Sequence, residues 1–237
     1  MAIKVTVINS DECKQLLTDW GKFASVCYDT KSTNYESIGK HCLETHHFSG
    51  SRSVYIKLKI EDCPRLLIDQ LVRHEQGVVK NVQSFRYVDK NNFSVSTPLE
   101  IQNDFELKKE YDECINHIKK VYSHIQNHLI TIGFSKERAN EQARYILPMA
   151  TNSSVCIGFT LEALIHFCNL RLCVRTEDIH RELAEQIRNA VLLILPELKD
   201  SFVPNCKYLL WCPEGKNGCG LFPTKEELQN KLKELKN

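Results

Sequence analysis

Polar and apolar residues alternate in two short stretches of the chain and recur at helical steps almost everywhere else. "IKVTVI" near the start reads as a strand. "SVYIKLKI" alternates more strictly and puts Val54, Ile56, Leu58 and Ile60 on one face. "DECKQLLTDWGKFASVCY" predicts a helix opened by Asp11, and "YESIGKHCLETHHFSGSRS" becomes polar and loop-like at its end. Pro64 stands where a helix accepts its first residue, so "PRLLIDQLVRHE" is predicted to follow as that helix. The longest helical pattern begins at Asp104. Leu107, Tyr111, Cys114, Ile118, Tyr122, Ile125 and Leu129 form its apolar stripe, and Gly133 stops it. Ser135 caps "KERANEQARYIL", which Pro148 ends. "TLEALIHFCNLRL" and "TEDIHRELAEQIRNAVLLIL" supply two more helices. The pattern predicts an α+β fold, helix-rich with a modest mixed or antiparallel sheet. It predicts a single domain over residues 1–237, without repeats or linkers.

A chain of 237 residues can bury a sizeable core. The formal net charge of +1 gives no bulk attraction for nucleic acid or an anionic membrane, and neither is expected as a partner. No apolar run reaches the length of a membrane span. The opening "MAIKVTVINSDEC" has no apolar signal core. Eleven scattered cysteines then suggest a reduced, cytoplasmic protein whose thiols mostly pack as small apolar groups.

The stretch "QLVRHEQGVVKNVQSFRY" changes the picture. Gln70, Arg73 and His74 fall at i, i+3 and i+4, on one face near the end of the expected helix. Arg and His at a helix C-terminus also have a purely structural reading, since they complement the dipole. Past a bend at Gly77 comes a second polar cluster, Asn81, Ser84 and Arg86. Two arginines with several neutral donors are suited to a phosphate and a heterocyclic base.

Here the residues resemble the flavin-dependent thymidylate synthases. That family's signature runs Arg-His-Arg, seven or eight residues, Ser, then x-Arg-Tyr; "RHEQGVVKNVQSFRY" is similar, with eight residues between Glu75 and Ser84. Upstream, "IEDCPRLLIDQLVRH" resembles the family's Ile-Glu-Gly-x-Ser-Arg…His-Gln-Leu-Val-Arg-His, and "HHFSGSRS" takes the place of its Gly-His-x-Ser-Pro-x-Glu-His. Downstream, "ARYILP", "ALIHFCNLRL" and "RELA" follow in order. The resemblance spans roughly residues 45 to 185; a cysteine-containing helical tail, 200–237, lies beyond it.

The resemblance implies reductive methylation of dUMP to dTMP. Methylenetetrahydrofolate would give the carbon, and FAD recharged by NADPH the hydride. The sites would form at subunit interfaces of a homotetramer. It implies that Gln70, Arg73, Ser84, Phe85, Arg86, Arg144 and Arg171 hold dUMP, with Arg86 and Arg144 on its phosphate. His47, Ser49, Arg73, His74, Glu75, Asn81 and His166 would lie along FAD. Arg171 is the candidate for activating uracil, because a neighbouring cation favours the electron-rich, deprotonated ring. Ser84 is either a nucleophile or a binding hydroxyl; no His or Asp at motif spacing activates it, which favours binding. Several positions depart from the family pattern. Glu75 replaces its second signature arginine, Arg52-Ser53 its Glu-His, and Thr160 and Glu162 an Asn and an Arg. Glu75 should weaken a diphosphate contact unless Lys80 or Arg52 compensates. Two alternatives stay open: another C5 modification of a pyrimidine nucleotide, or a nucleotide-binding protein that has lost flavin chemistry.

Cys206, Cys212 and Cys219 lie near one another in sequence without the tight Cys-x-x-Cys pair usual for zinc, so no metal is expected and a structural, thiol-lined tail is. "KEELQNKLKELK" reads as a charged amphipathic helix, solvated along one face rather than membrane-bound.

Overall fold

The computed structural model describes residues 3–27 and 29–234. In chain order the elements are β1 (Lys4–Val7), α1 (Ser10–Cys13), α2 (Leu16–Cys27), α3 (Tyr35–Glu44), a 3-10 turn (Phe48–Ser53), β2 (Tyr55–Pro64), α4 (Arg65–Leu71) and β3 (Val78–Val82). There follow α5 (Leu99–Asn103), α6 (Phe105–Thr131), α7 (Lys136–Ala143), a 3-10 turn (Arg144–Ile146), β4 (Asn152–Thr160), α8 (Leu161–Arg171) and α9 (Asp178–Leu192). A 3-10 turn (Pro196–Asp200), α10 (Asn205–Leu209), another 3-10 turn (Gly215–Asn217) and α11 (Lys225–Glu234) complete the described chain. The strands form a four-stranded antiparallel sheet in the order β1-β2-β4-β3, and the fold is α+β as expected.

The chain divides into two compact units. The first comprises residues 1–4, 60–74 and 80–156; the second comprises 5–59, 75–79 and 157–237.

In the first unit, α6 and α7 pack together. Asp104 caps α6 as expected, its carboxylate accepting from the amides of Glu106 and Leu107 at 3.0 Å each. The stripe of α6 differs from the expected one: Ile115, Tyr122 and Gln126 are buried, while Leu107 and Cys114 are exposed. The cause is a polar layer. Gln126 bonds Asp89 (3.3 Å), Asn91 (2.7 Å) and Asn140, so its amide replaces an apolar contact at the packed face. Pro64 is not the first helical residue. It ends β2 in an extended conformation (φ −66°, ψ 149°), and α4 starts at Arg65. The first amides of α4 are satisfied by main-chain carbonyls, Arg65 N to Thr151 O (3.0 Å) and Leu66 N to Met149 O (2.9 Å). The helix also stops sooner than its apolar spacing suggests, at Leu71.

In the second unit, Ile56 and Leu58 of β2 are fully buried and the alternation holds. The helix expected from Asp11 to Tyr28 is two helices, α1 and α2, separated at Lys14 and Gln15; Tyr28 lies outside the described residues. Asp11 does not open α1. The helix starts at Ser10, after Asn9, whose side chain accepts from Lys57 N (2.9 Å) and donates to Tyr55 O (3.1 Å); Asp11 pairs instead with Lys14 (2.8 Å). The close packing of α2 and α3 needs glycine on both helices. A Cβ on Gly21 would stand 1.8 Å from Tyr35 O, and one on Gly39 2.0 Å from Leu17 O. Leu161, Leu164, Phe167 and Cys168 of α8 and Leu183, Ala184 and Ile187 of α9 are fully buried, and Phe159 meets Phe167 at 5.5 Å. Each large apolar side chain so buried contributes about 1.5–3 kcal/mol.

Candidate functional site

Within the first unit, Gln70 sits in the last turn of α4, half-buried. Arg73 and His74 do not extend that helix. They lie in the turn after it, their amides bonding Gln70 O and Leu71 O at 3.2 Å each. Lys80 explains the early stop: its ammonium reaches back from β3 to the carbonyls of Val72 and His74 (the latter at 2.7 Å). The ammonium keeps its charge there, with two of its protons committed to these carbonyls. Asn81 is exposed on β3.

The turn after β3 gathers the second cluster. Ser84 Oγ accepts from Arg86 N (3.3 Å), and Ser84 O accepts from the amides of Tyr87 (3.3 Å) and Val88 (3.1 Å). The hydroxyl's partner is thus its own turn rather than an imidazole or carboxylate, which suits a binding group. Phe85 is turned inward. Its ring lies 4.4 Å from Lys90 Nζ and 5.2 Å from the Arg65 guanidinium, so its main chain is what faces outward. Lys90 is itself buried and donates to Gln83 Oε1 (2.9 Å) and Asn152 O (3.2 Å). Burial first, and then Arg65, lower its pKa. Arg86 Nε meets Glu141 Oε2 at 3.3 Å, and Glu141 also takes Arg138 at 2.6 Å. Asn140 fixes the Arg86 carbonyl at 3.1 Å. Arg144, exposed, follows one helical turn after Glu141. The Arg86–Glu141 pair and the Asn140 bond thereby tie the turn that carries Ser84 and Arg86 to the end of α7, where Glu141 stands three residues before Arg144. The sequence reading missed Glu141, Lys90 and Asn140. Glu141 could have been found, since it is three residues from both Arg138 and Arg144; Lys90 carried no signal.

Within the second unit lie His47, Ser49, Glu75 and His166 of the expected flavin residues, on segments near the N-terminal half of α8; Arg73, His74 and Asn81 belong to the first unit. Thr160 caps that helix, its hydroxyl accepting from Ala163 N (3.3 Å). Thr160 N donates to Gly77 O at 2.8 Å, which brings the turn starting at Glu75 beside the helix start. Gly77 has φ +69°, and a Cβ there would lie 2.4 Å from Thr160 Oγ1. Glu75 is exposed. His47 and Ser49, both exposed, line a cavity of about 360 Å³ with Phe48, Gly50 and Cys42. The 3-10 turn carrying them packs on α8. There Arg52 grips Glu162 with two bonds, Nε to Oε2 and Nη2 to Oε1, the latter at 3.1 Å. His166, exposed, is one turn further along the same face as Glu162. Arg52, like Lys80, is therefore already engaged. Arg171 is the last residue of α8 and half-buried. It stands close enough to the buried His180 to help lower that imidazole's pKa, after the larger effect of burial; Glu177 opposes both, bonding His180 Nδ1 at 3.0 Å.

The fold is α+β, and its first unit presents arginines, a hydroxyl and amides on the turn after β3 and the end of α7. Residues 11–197 match the family model described as thymidylate synthase complementing protein, and the chain belongs to that family. It is 32% identical over 187 residues to a flavin-dependent thymidylate synthase of Nitratidesulfovibrio vulgaris, covering 78% of this chain and 76% of that one. A protein of the same name from Pyrococcus abyssi is 26% identical over 228 residues, with 90% of each chain covered. Another, from Pyrococcus horikoshii, is 29% identical over 250 residues, covering 97% and 98%.

Proposed function

We propose that this chain is a flavin-dependent thymidylate synthase that reductively methylates dUMP to dTMP. The observation carrying this reading is the Arg86–Glu141 ion pair, which joins the turn bearing Ser84 to the end of α7 just before Arg144, two motifs far apart in sequence that fall inside the family match. Two guanidiniums and a hydroxyl suit the three non-bridging oxygens of a phosphate. On this reading Gln70 and Arg73 extend the nucleotide contact, Phe85 contributes its main chain, and Arg171 faces the uracil imide. A guanidinium there donates to O2 and N3, and these bonds strengthen as negative charge develops on the ring during attack at the one-carbon donor.

His47, Ser49, His74, Asn81 and His166 supply imidazole, hydroxyl and amide groups that fit hydrogen bonding along FAD, and the pocket at His47 and Ser49 has room for part of it. Bound flavin supplies the hydride chemistry that no side chain can. Glu75 fits less well, since it sets a carboxylate beside a diphosphate cofactor. This favours weakened flavin binding, while the family match favours the flavin-dependent synthase over a nucleotide-binding protein without flavin. NADPH as reductant, methylenetetrahydrofolate as carbon donor, a homotetramer with shared sites and a cytoplasmic location complete the proposal.

The test is complementation of a thymidine auxotroph, paired with the colour of the purified protein. Growth without thymidine and a yellow, FAD-binding protein are expected. A colourless protein with no absorbance change on adding FAD would remove the enzyme reading.

A further inference from the structure

Between Pro204 and Glu234, Cys212 is the only buried residue among those described. Here α10 spans five residues, and α11 buries none of its own. A segment with so little apolar burial needs another source of support. It nevertheless follows a definite path. Leu210, Gly215 and Gly220 take positive φ (64°, 56° and 84°), and Cys212 N donates to Pro223 O at 2.7 Å. Cys212 Sγ packs on Gly218, where a Cβ would come within 2.9 Å. Asn169 of α8 donates to Ser201 O (2.8 Å) and Val203 O (2.7 Å), and the Arg175 guanidinium donates to Asn217 O. The end of α8, the start of α10 and the 212–219 loop thus enclose a cavity of about 150 Å³, lined by Cys173, Cys206, Cys212 and Cys219 among others.

We propose that these four cysteines form a four-thiolate site for zinc, or a cation of similar softness, that fastens the 204–224 segment to the end of α8. Four sulfurs are the ligand set of a closed, tetrahedral structural zinc site. The wide spacings 173, 206, 212 and 219 hide it in the sequence, where no Cys-x-x-Cys pair occurs; the fold brings the four to one cavity. Among the described residues no three such ligands already stand in coordinating positions. The site closes by rotation of the cysteines between staggered χ1 wells, and each thiol gives its proton to solvent as the metal binds. The surroundings suit that charge. Arg175 and Lys207 line the cavity and offset the surplus of four thiolates over a divalent ion, against Glu214 alone on the opposing side.

The experiment is zinc analysis of the full chain purified from zinc-supplemented medium, with release followed by a chromophoric zinc indicator as a mercurial titrates the thiols. One zinc per chain, freed by the mercurial, is expected. Cys219→Ser, at an exposed position, should fold and lose most of its zinc, while Cys114→Ser on α6 keeps it. Chelator should speed proteolytic cutting between 204 and 234. A parent chain with no zinc and no thiolate-to-cobalt absorption on adding cobalt would overturn the proposal. So would full zinc content in both Cys219→Ser and Cys206→Ser, or a disulfide joining two of the four.

Discussion

The two compact units treat charge in opposite ways. In the first, Arg86 and Arg144 are in place, and Glu141 and Asn140 hold the Arg86 segment. In the second, positions where the family pattern has arginine carry carboxylates, Glu75 and Glu162. One of these changes is compensated. The pattern's carboxylate at position 52 is an arginine here, and Arg52 pairs with Glu162, so the polarity of the pair is inverted as a whole. Among the described residues Glu75 has no ion-pair partner. A reversed charge is structurally silent when its partner reverses too, and a reversed charge without a partner acts on whatever binds beside it. On the proposed reading, Arg86 and Arg144 in the first unit are strict, and Glu75 in the second is open to change.

The largest expected effect cuts across that division, because Arg171 belongs to the second unit yet is assigned to uracil. Arg171→Ala should lower dUMP turnover about 10²–10³-fold with flavin retained. Arg171→Lys should rescue little, since an ammonium lacks the planar two-donor fork. Turnover within a few-fold of the parent would pass the activating role to another residue. Next, Arg86→Ala should raise the KM for dUMP by about tenfold or more, as expected on losing a charge-assisted hydrogen bond, with kcat less affected. Glu141→Gln should do much less; equal effects would mean that the pair, not the arginine, is what matters. Third, Glu75→Arg should tighten FAD by ~1 kcal/mol, read by fluorescence titration. Unchanged affinity would show that Glu75 faces away from the cofactor. Smallest, Arg52→Glu and Glu162→Arg should each shift FAD affinity by about two- to threefold, and the double variant should return to the parent value. Additive losses in the double variant would sink the idea of a coupled exchange.

Period and punctuation made much of this legible. Alternation located β2 through Ile60, and Asp104, Ser135 and Gly133 marked helix ends by local chemistry that any reader of the chain can see. What could not be read depended on distant partners. The end of α4 is set by an ammonium eight residues beyond Val72, on another element. Gln126 looks like a solvent-facing residue of α6 until Asp89, Asn91 and Asn140 surround it. Arg52 and Glu162, 110 residues apart, read as two separate departures until they meet. The residues proposed for dUMP and FAD form an ordered set of motifs, but nothing in the motifs told that Phe85 would face inward or that Lys80 would be engaged.

Gly77 constrains how this protein can vary over generations. The turn that it forms accommodates a reversal of charge at Glu75, two residues earlier, because that side chain projects into solvent. At Gly77 itself even one methyl group would strike the threonine that starts α8, in a backbone geometry most residues avoid. Lineages descended from this chain can therefore explore new cofactor preferences through neighbouring side chains, while the route of the peptide between the two signature clusters stays closed to mutation.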